Sequence, residues 1–194
     1  MNTANFLRRT AVPKLPVLVL ATCLLATVGC RESVRPLGGI ALAPELPAGF
    51  TAEVVDMQDA LKGAGVDVAG TLVFVTSQDK KNQGRYASVM IQQEDRVLPN
   101  KDDKITAYKA FLNGSHQSWS NRDYRVEKRE TTDIQTIDPD KLIRDRITYV
   151  KDGHRVEVEH LVTFTDRGLH VCVAADHDDD FQLLSQWARS VRPK

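Results

Sequence analysis

Asp145 and His160 are the residues whose types and placement most readily point to chemistry. A carboxylate beside an imidazole orients a general base, so a hydrolase built on this pair is one reading. Such an enzyme also needs a nucleophile, an oxyanion site and an open cleft, and no motif in the sequence supplies them. The plainer reading is a buried polar pair at the end of a sheet. A second cluster, Asp176-His177-Asp178-Asp179-Asp180, places four carboxylates and one imidazole in five consecutive positions. These are donors for a divalent cation, but the segment lacks the ligand order and glycine turn of a structural calcium loop. Acidic residues at a helix start are also expected on capping and dipole grounds. Cys172 lies in an apolar run and reads as a small buried hydrophobe rather than a reactive thiol. His116, Trp119 and Trp187 fall at helical spacing, where tryptophan belongs to the core or its margin. The sequence has no metalloprotease motif, P-loop, nucleophile elbow or paired-cysteine metal site. Their absence favours a non-enzymatic protein without a cofactor.

The N-terminus carries an address. Arg8, Arg9 and Lys14 precede an uncharged apolar run over residues 15–30, which ends at Thr27-Val28-Gly29-Cys30. A basic start, a short apolar core and small residues at its end make a secretory signal, too short for a spanning helix. The cysteine at the cleavage point makes it resemble a bacterial lipoprotein signal, with Cys30 acylated and made the mature N-terminus. Residues 1–29 then form the signal peptide. Arg31 stands where an acidic residue would favour inner-membrane retention, so an outer-membrane anchor facing the periplasm is expected.

Composition sets further bounds. The 194 residues contain 26 Lys+Arg and 26 Asp+Glu. Removing the signal takes three basic residues and no acidic ones, which leaves 23 against 26 and a net charge of −3. No concentrated basic footprint is present, so nucleic acid is not an expected partner. Loss of Cys23 with the signal and acylation of Cys30 leave only Cys172, so no intrachain disulfide is expected.

Residues 31–49 contain three prolines and the Gly38-Gly39 pair. They read as a semi-extended tether between the lipid on Cys30 and a single globular domain over residues 50–194. The domain opens with a short strand at Thr51–Asp56, a weak helical turn at Met57–Lys62 and a glycine-rich loop, Gly63–Gly70. Thr71–Ser77 and Tyr86–Gln92 form a hairpin joined by the polar stretch Asp79–Gly84. Ile105, Tyr108, Phe111, Leu112 and Trp119 mark a helix capped by Asn100 or Asp102 and weakened at Gly114. Strands are expected at Tyr124–Ile137, Ile143–Val150, His154–Thr165 and Leu169–Ala175. The chain closes with a helix from about Asp179, striped by Phe181, Leu184, Ala188 and Val191.

Hairpin register sharpens this outline. The Asp152-Gly153 turn pairs Lys151 with His154, which puts Tyr149 opposite Val156, Ile147 opposite Val158 and Asp145 opposite His160. For the next turn, pairing Thr165 with Gly168 puts Val162 opposite Val171 and His160 opposite Val173. One core face then gathers Ile147, Val156, Val158, Val162, Phe164, Leu169, Val171 and Val173 around Asp145 and His160. The other face carries Arg146 opposite Glu159 and His170 opposite Thr163. The terminal helix is expected on the first face.

The element order, with the ending Leu169-His-Val-Cys-Val-Ala-Ala, Phe181, Leu184, Trp187-Ala-Arg and Ser190-Val-Arg192, resembles the PsbP-like group, which includes DcrB-type lipoproteins. That resemblance implies an α+β fold, an antiparallel sheet of about six to seven strands flanked by helices in an α/β/α sandwich. It also implies a non-enzymatic module that binds small partners or assists an envelope complex. The expected function is therefore a lipid-anchored binding or assembly module with an envelope protein partner. A metal-binding lipoprotein using Asp176–Asp180 and, behind it, a hydrolase on Asp145 and His160 are the alternatives.

Overall fold

In the computed structural model, residues 34–56, 71–77, 85–94, 96–130, 138 and 141–194 are described. Cys30, the turn at 57–62, the loop at 63–70, the link at 79–84 and residues 131–137 lie outside them. Ten strands and two helices make up the described part: β1 (Arg35–Leu37), β2 (Ala41–Ala43), β3 (Phe50–Asp56), β4 (Thr71–Ser77), β5 (Ala87–Gln93), α1 (Lys101–Ser120), β6 (Arg125–Glu130), β7 (Ile143–Lys151), β8 (His154–Phe164), β9 (Gly168–Ala175), α2 (Asp178–Ala188) and β10 (Arg192–Pro193). Seven strands form one antiparallel sheet in the order β3-β4-β5-β9-β8-β7-β6, and β1-β2-β10 form a second, small sheet. This is an α+β fold. Among the described residues no helix is long and apolar enough to cross a membrane.

The centre of the large sheet is β9, buried at all eight positions. Leu169, Val171, Val173 and Ala175 pack with Phe181, Leu184 and Trp187 of α2. On the opposite face, Cys172 and Ala174 share a cluster with Trp119 of α1, while Phe111 and Leu112 pack on Ile143, Val162 and Phe164. Asn100 caps α1 by accepting the Asp103 N–H at 2.9 Å. The helix continues through Gly114 to Ser120 rather than ending early. At the sheet's far edge, all six residues of β6 are exposed, and five of them are charged. Charge on an edge strand discourages pairing with another chain.

The β7–β8 register is the one read from the Asp152-Gly153 turn, with Asp145 opposite His160. The β8–β9 register differs by one residue. Phe164, not Thr165, pairs with Gly168, which brings His160 opposite Cys172 and Val162 opposite His170. The turn is therefore the three-residue Thr165-Asp166-Arg167. Gly168 fits because a Cβ there would stand 2.9 Å from the Phe164 ring. A one-residue slip moves every side chain to the other face. Leu169, Val171 and Val173 consequently leave the Asp145–His160 face, His170 and Cys172 join it, and α2 packs on the side opposite to the expected one.

Part of the expected tether also folds into the domain. β2 pairs with β1 on one side and with β10, at the chain's other end, on the other. Ile40, Ala41 and Ala43 are buried in the core beneath α2. The Trp187 indole N–H donates to the Glu45 carbonyl at 3.1 Å, so this segment supplies the partner a buried indole requires. Proline and glycine shape a docked turn here instead of a linker.

Gly38 has φ +59°, and a Cβ on it would overlap the rigid, fully buried Val73 side chain. Gly39 has φ +76° with nothing near its would-be Cβ. Gly38→Ala should therefore cost about 2–4 kcal/mol, from backbone strain plus overpacking. Gly39→Ala should cost only the backbone part, about 1 kcal/mol. Urea unfolding of both variants measures this, and two midpoints equal to the parent's would show that the segment is not docked.

Candidate functional site

Where α1 crosses the sheet it covers β7, β8 and β9 and leaves β4 and β5 open. The result is a cleft of about 660 Å³ between the helix and the β4-β5-β9 part of the sheet. Phe74, Met90, Phe111 and Trp119 give it apolar walls, and Ser88, Gln92, Ser115 and Arg122 supply polar atoms. His170 and Cys172 of β9 form part of its floor. Gly114 lines the cleft from the middle of α1, with nothing within 4 Å of its would-be Cβ. Glycine at such a position weakens a helix by about 1 kcal/mol relative to alanine. No packing contact accounts for it, and a larger side chain there would take up cleft space.

Strand alternation sends Asp145, His160, His170 and Cys172 to this same side of the sheet. Asp145, wholly buried, accepts a short hydrogen bond from the Tyr108 hydroxyl of α1. His160 turns Nδ1 toward His170 Nε2 at 2.9 Å, with the two rings within 18° of coplanar. The Phe111 ring stacks on His170 with centroids 4.7 Å apart. His160 Nε2 and His170 Nδ1 are both buried without a hydrogen-bond partner among the described residues. Ser115 of α1 lines the same cleft as Cys172. Beyond Cys172 the aromatic wall continues, with Trp119 stacked on Tyr149 at 5.5 Å and edge-on to Tyr86 at 5.9 Å.

Burial governs the protonation of this group. Desolvation, aided by Arg129, holds His160 down at about 4, and desolvation with the neighbouring His160 keeps His170 well below its ordinary 6.5. Burial pushes the Cys172 thiol and the Tyr149 phenol up to about 12 each. Near neutral pH the site therefore holds two uncharged imidazoles and a thiol. Two neutral imidazoles have two protons for four nitrogens. One shared bond leaves one donor and one acceptor inside the core with nothing to bond, a cost of about 1–3 kcal/mol for each group.

The expected site residues sit as follows. Asp145 and His160 are cross-strand partners, but the imidazole faces His170 while the carboxylate holds Tyr108. Asp176 ties strand ends together, accepting the Tyr86 N–H at 2.9 Å and facing His177 Nδ1 at 2.6 Å. Asp178, Asp179 and Asp180 form the first turn of α2, and Asp180 lies 3.6 Å from the Arg85 guanidinium. Among the described residues, His160, His170 and Cys172 are the one group of three whose donor atoms converge, all within 4.8 Å of one another. Sequence reasoning missed His170 and Cys172 through the β8–β9 register, and Met90 because the pairing of β5 with β9 is not local. The available signal was the β9 run, apolar at every position but His170, which marks a strand buried on both faces and so puts His170 and Cys172 inside. No protein-family model matches the sequence, and neither does any curated protein.

Both imidazoles bind fewer protons folded than unfolded between about pH 6.5 and their depressed folded values, so stability rises with pH across that window. Lowering the pH from 7 to 5, still above most carboxylate titration, should remove roughly 2 kcal/mol through His160, with a loss of the same sign from His170, in chelator-treated buffer. Urea midpoints as a function of pH check this. His160→Gln should flatten the slope, and a parent midpoint constant from pH 7 to 5 would contradict the neutral buried pair.

Proposed function

We propose that this chain is a lipid-anchored, non-enzymatic binding module of the bacterial envelope, with the cleft beside α1 as its binding site. The observation that carries this reading is the cleft itself, lined by a glycine in mid-helix. Its volume falls within the range of small-molecule sites, and its mix of aromatic walls with a few polar groups is what such sites use. Arg122 stands 5.5 Å from the Trp119 ring at one end, and no salt bridge engages its guanidinium among the described residues. That pairing suits a ligand with an apolar body and an anionic end. The PsbP/DcrB-like assignment belongs to the same proposal. It is supported by the order of strand, hairpin, helix, antiparallel strands and final helix, and by helices on both faces of the sheet. A lipid on Cys30 would confine the site near the membrane and raise its effective concentration around partners there.

The apolar fluorophore N-phenylnaphthylamine and its displacement by dodecanoate test the site. Gly114→Ala should leave the fold intact and add about 1 kcal/mol to stability. Gly114→Phe should fill the cleft and weaken probe binding at least about tenfold, the effect of losing 1.4 kcal/mol. Equal probe affinity in the parent and Gly114→Phe would refute the assignment of the cleft. In bacterial cells, Cys30→Ser should move the protein from the membrane fraction to the soluble one. Retention in the membrane would refute the anchor.

A further inference from the structure

The two imidazoles and the thiol at the floor of the cleft form a constellation that neither packing nor the cleft's occupant explains. His160 and His170 are wholly buried or nearly so, each with an unpartnered ring nitrogen, and Cys172 is buried beside them. Two imidazoles and a thiol gathered this deeply in a core call for a cause. A nitrogen from each ring and the Cys172 sulfur lie within 4.8 Å of one another. His160 Nδ1 and His170 Nε2 already stand 2.9 Å apart. Two imidazole nitrogens bound at about 2.0–2.1 Å to one tetrahedral ion lie roughly 3.3 Å apart, so the pair must open by a few tenths of an ångström and both rings must turn, each by roughly 35°, to aim their lone pairs at a shared ion.

On the neighbouring strand Met90 shares the sheet face of these residues. Met90 is the direct cross-strand partner of Cys172 in β5, as His160 is in β8, so His160, Cys172 and Met90 form a row across three adjacent strands. Met90 packs against the cluster that contains Cys172 and lines the same cleft. Its thioether sits on a flexible stem that adapts to irregular contacts. No carboxylate belongs to the converging group. The thiolate and thioether are soft donors and the two imidazoles borderline ones, a set that suits copper(I) and disfavours calcium, magnesium and manganese. The thioether separates copper(I) from zinc, which prefers nitrogen, thiolate and carboxylate ligands.

We propose that His160, His170, Cys172 and Met90 form a copper(I) site at the floor of the cleft. The ion enters through the cleft, where His170, Cys172 and Met90 are reachable, and His160 closes the site from behind. Copper(I) replaces the thiol proton of Cys172, which leaves to solvent, so binding releases about one proton and changes no oxidation state. The imidazoles are already neutral and need lose none to solvent, but the proton of their shared hydrogen bond moves to the outer nitrogen of the ring that carries it, which frees both facing nitrogens.

The test is anaerobic titration of the whole protein with copper(I), kept reduced by ascorbate and buffered by the chromogenic chelator bicinchoninate. One copper(I) per chain is expected, with about one proton released, and X-ray absorption should show both nitrogen and sulfur neighbours. Cys172→Ala and His170→Asn should each weaken binding by at least about tenfold, and Met90→Leu by about tenfold for copper(I) but little for zinc(II). Met90→Leu conserves volume at a half-buried position, so it remains informative if the other variants unfold. Absence of binding in competition with the chelator would overturn the proposal. So would affinity unchanged by Met90→Leu and Cys172→Ala, or zinc(II) held more tightly than copper(I) by the same residues. None of these outcomes bears on probe binding in the cleft, which is read separately.

Discussion

The burial of β9 on both faces is the constraint on which the rest of this structure depends. An antiparallel strand near an edge can leave one face in water, but β9 has no residue that does so. Each face therefore needs its own cover, and the chain supplies α2 for one and α1 for the other. The short β1–β2 segment extends the cover beneath α2, joined to the chain's far end through β10. Toward β7 the α2 side changes character. Glu159, fully buried, is held by Arg144 and by Arg189 at 3.1 Å, and Glu157 by Arg146 at 2.8 Å. Arg146 also lies over the Phe181 ring at 4.7 Å. Arginine stems and forks thus finish a face that aliphatic side chains begin.

The α1 face is finished differently. One helix cannot cover a seven-stranded sheet, and α1 lies over the β7–β9 half. What remains over β4 and β5 is a cleft rather than a flat exposed patch, because Phe111 and Trp119 project from the helix as one wall. The polar residues beneath the helix have no solvent to lean on. Asp145 finds Tyr108, and the imidazoles find each other and are left incomplete. That incompleteness, reached by a cleft and flanked by two sulfur-bearing side chains, distinguishes this floor from an ordinary core.

Local signals in the sequence carried much of the fold. Alternation and turn chemistry located β4, β5, β7, β8 and β9, and Asp152-Gly153 set the β7–β8 register because a two-residue turn admits few alternatives. Helical spacing and Asn100 located α1. The turn after β8 was harder to read, since Thr165-Asp166-Arg167-Gly168 accommodates a two- or three-residue loop. Contacts distant in sequence decide between them: Leu98 donates to the Asp166 carbonyl at 2.8 Å and Glu94 to that of Gly168 at 2.7 Å. The choice moved His170 and Cys172 to the face of His160, so the candidate site was legible only in its Asp145–His160 half. Residues 35–43 were illegible for a related reason. Three-residue strands carry too little periodicity to stand out, and what orders them is Trp187 and β10, some 150 positions away.

The measurement that tests this account most directly is the cross-strand proton pattern of the β8–β9 hairpin by NMR. The account predicts contacts that pair Phe164 with Gly168, Val162 with His170 and His160 with Cys172. A pattern pairing Thr165 with Gly168 and His160 with Val173 would contradict it, returning His170 and Cys172 to the opposite face and dissolving the site.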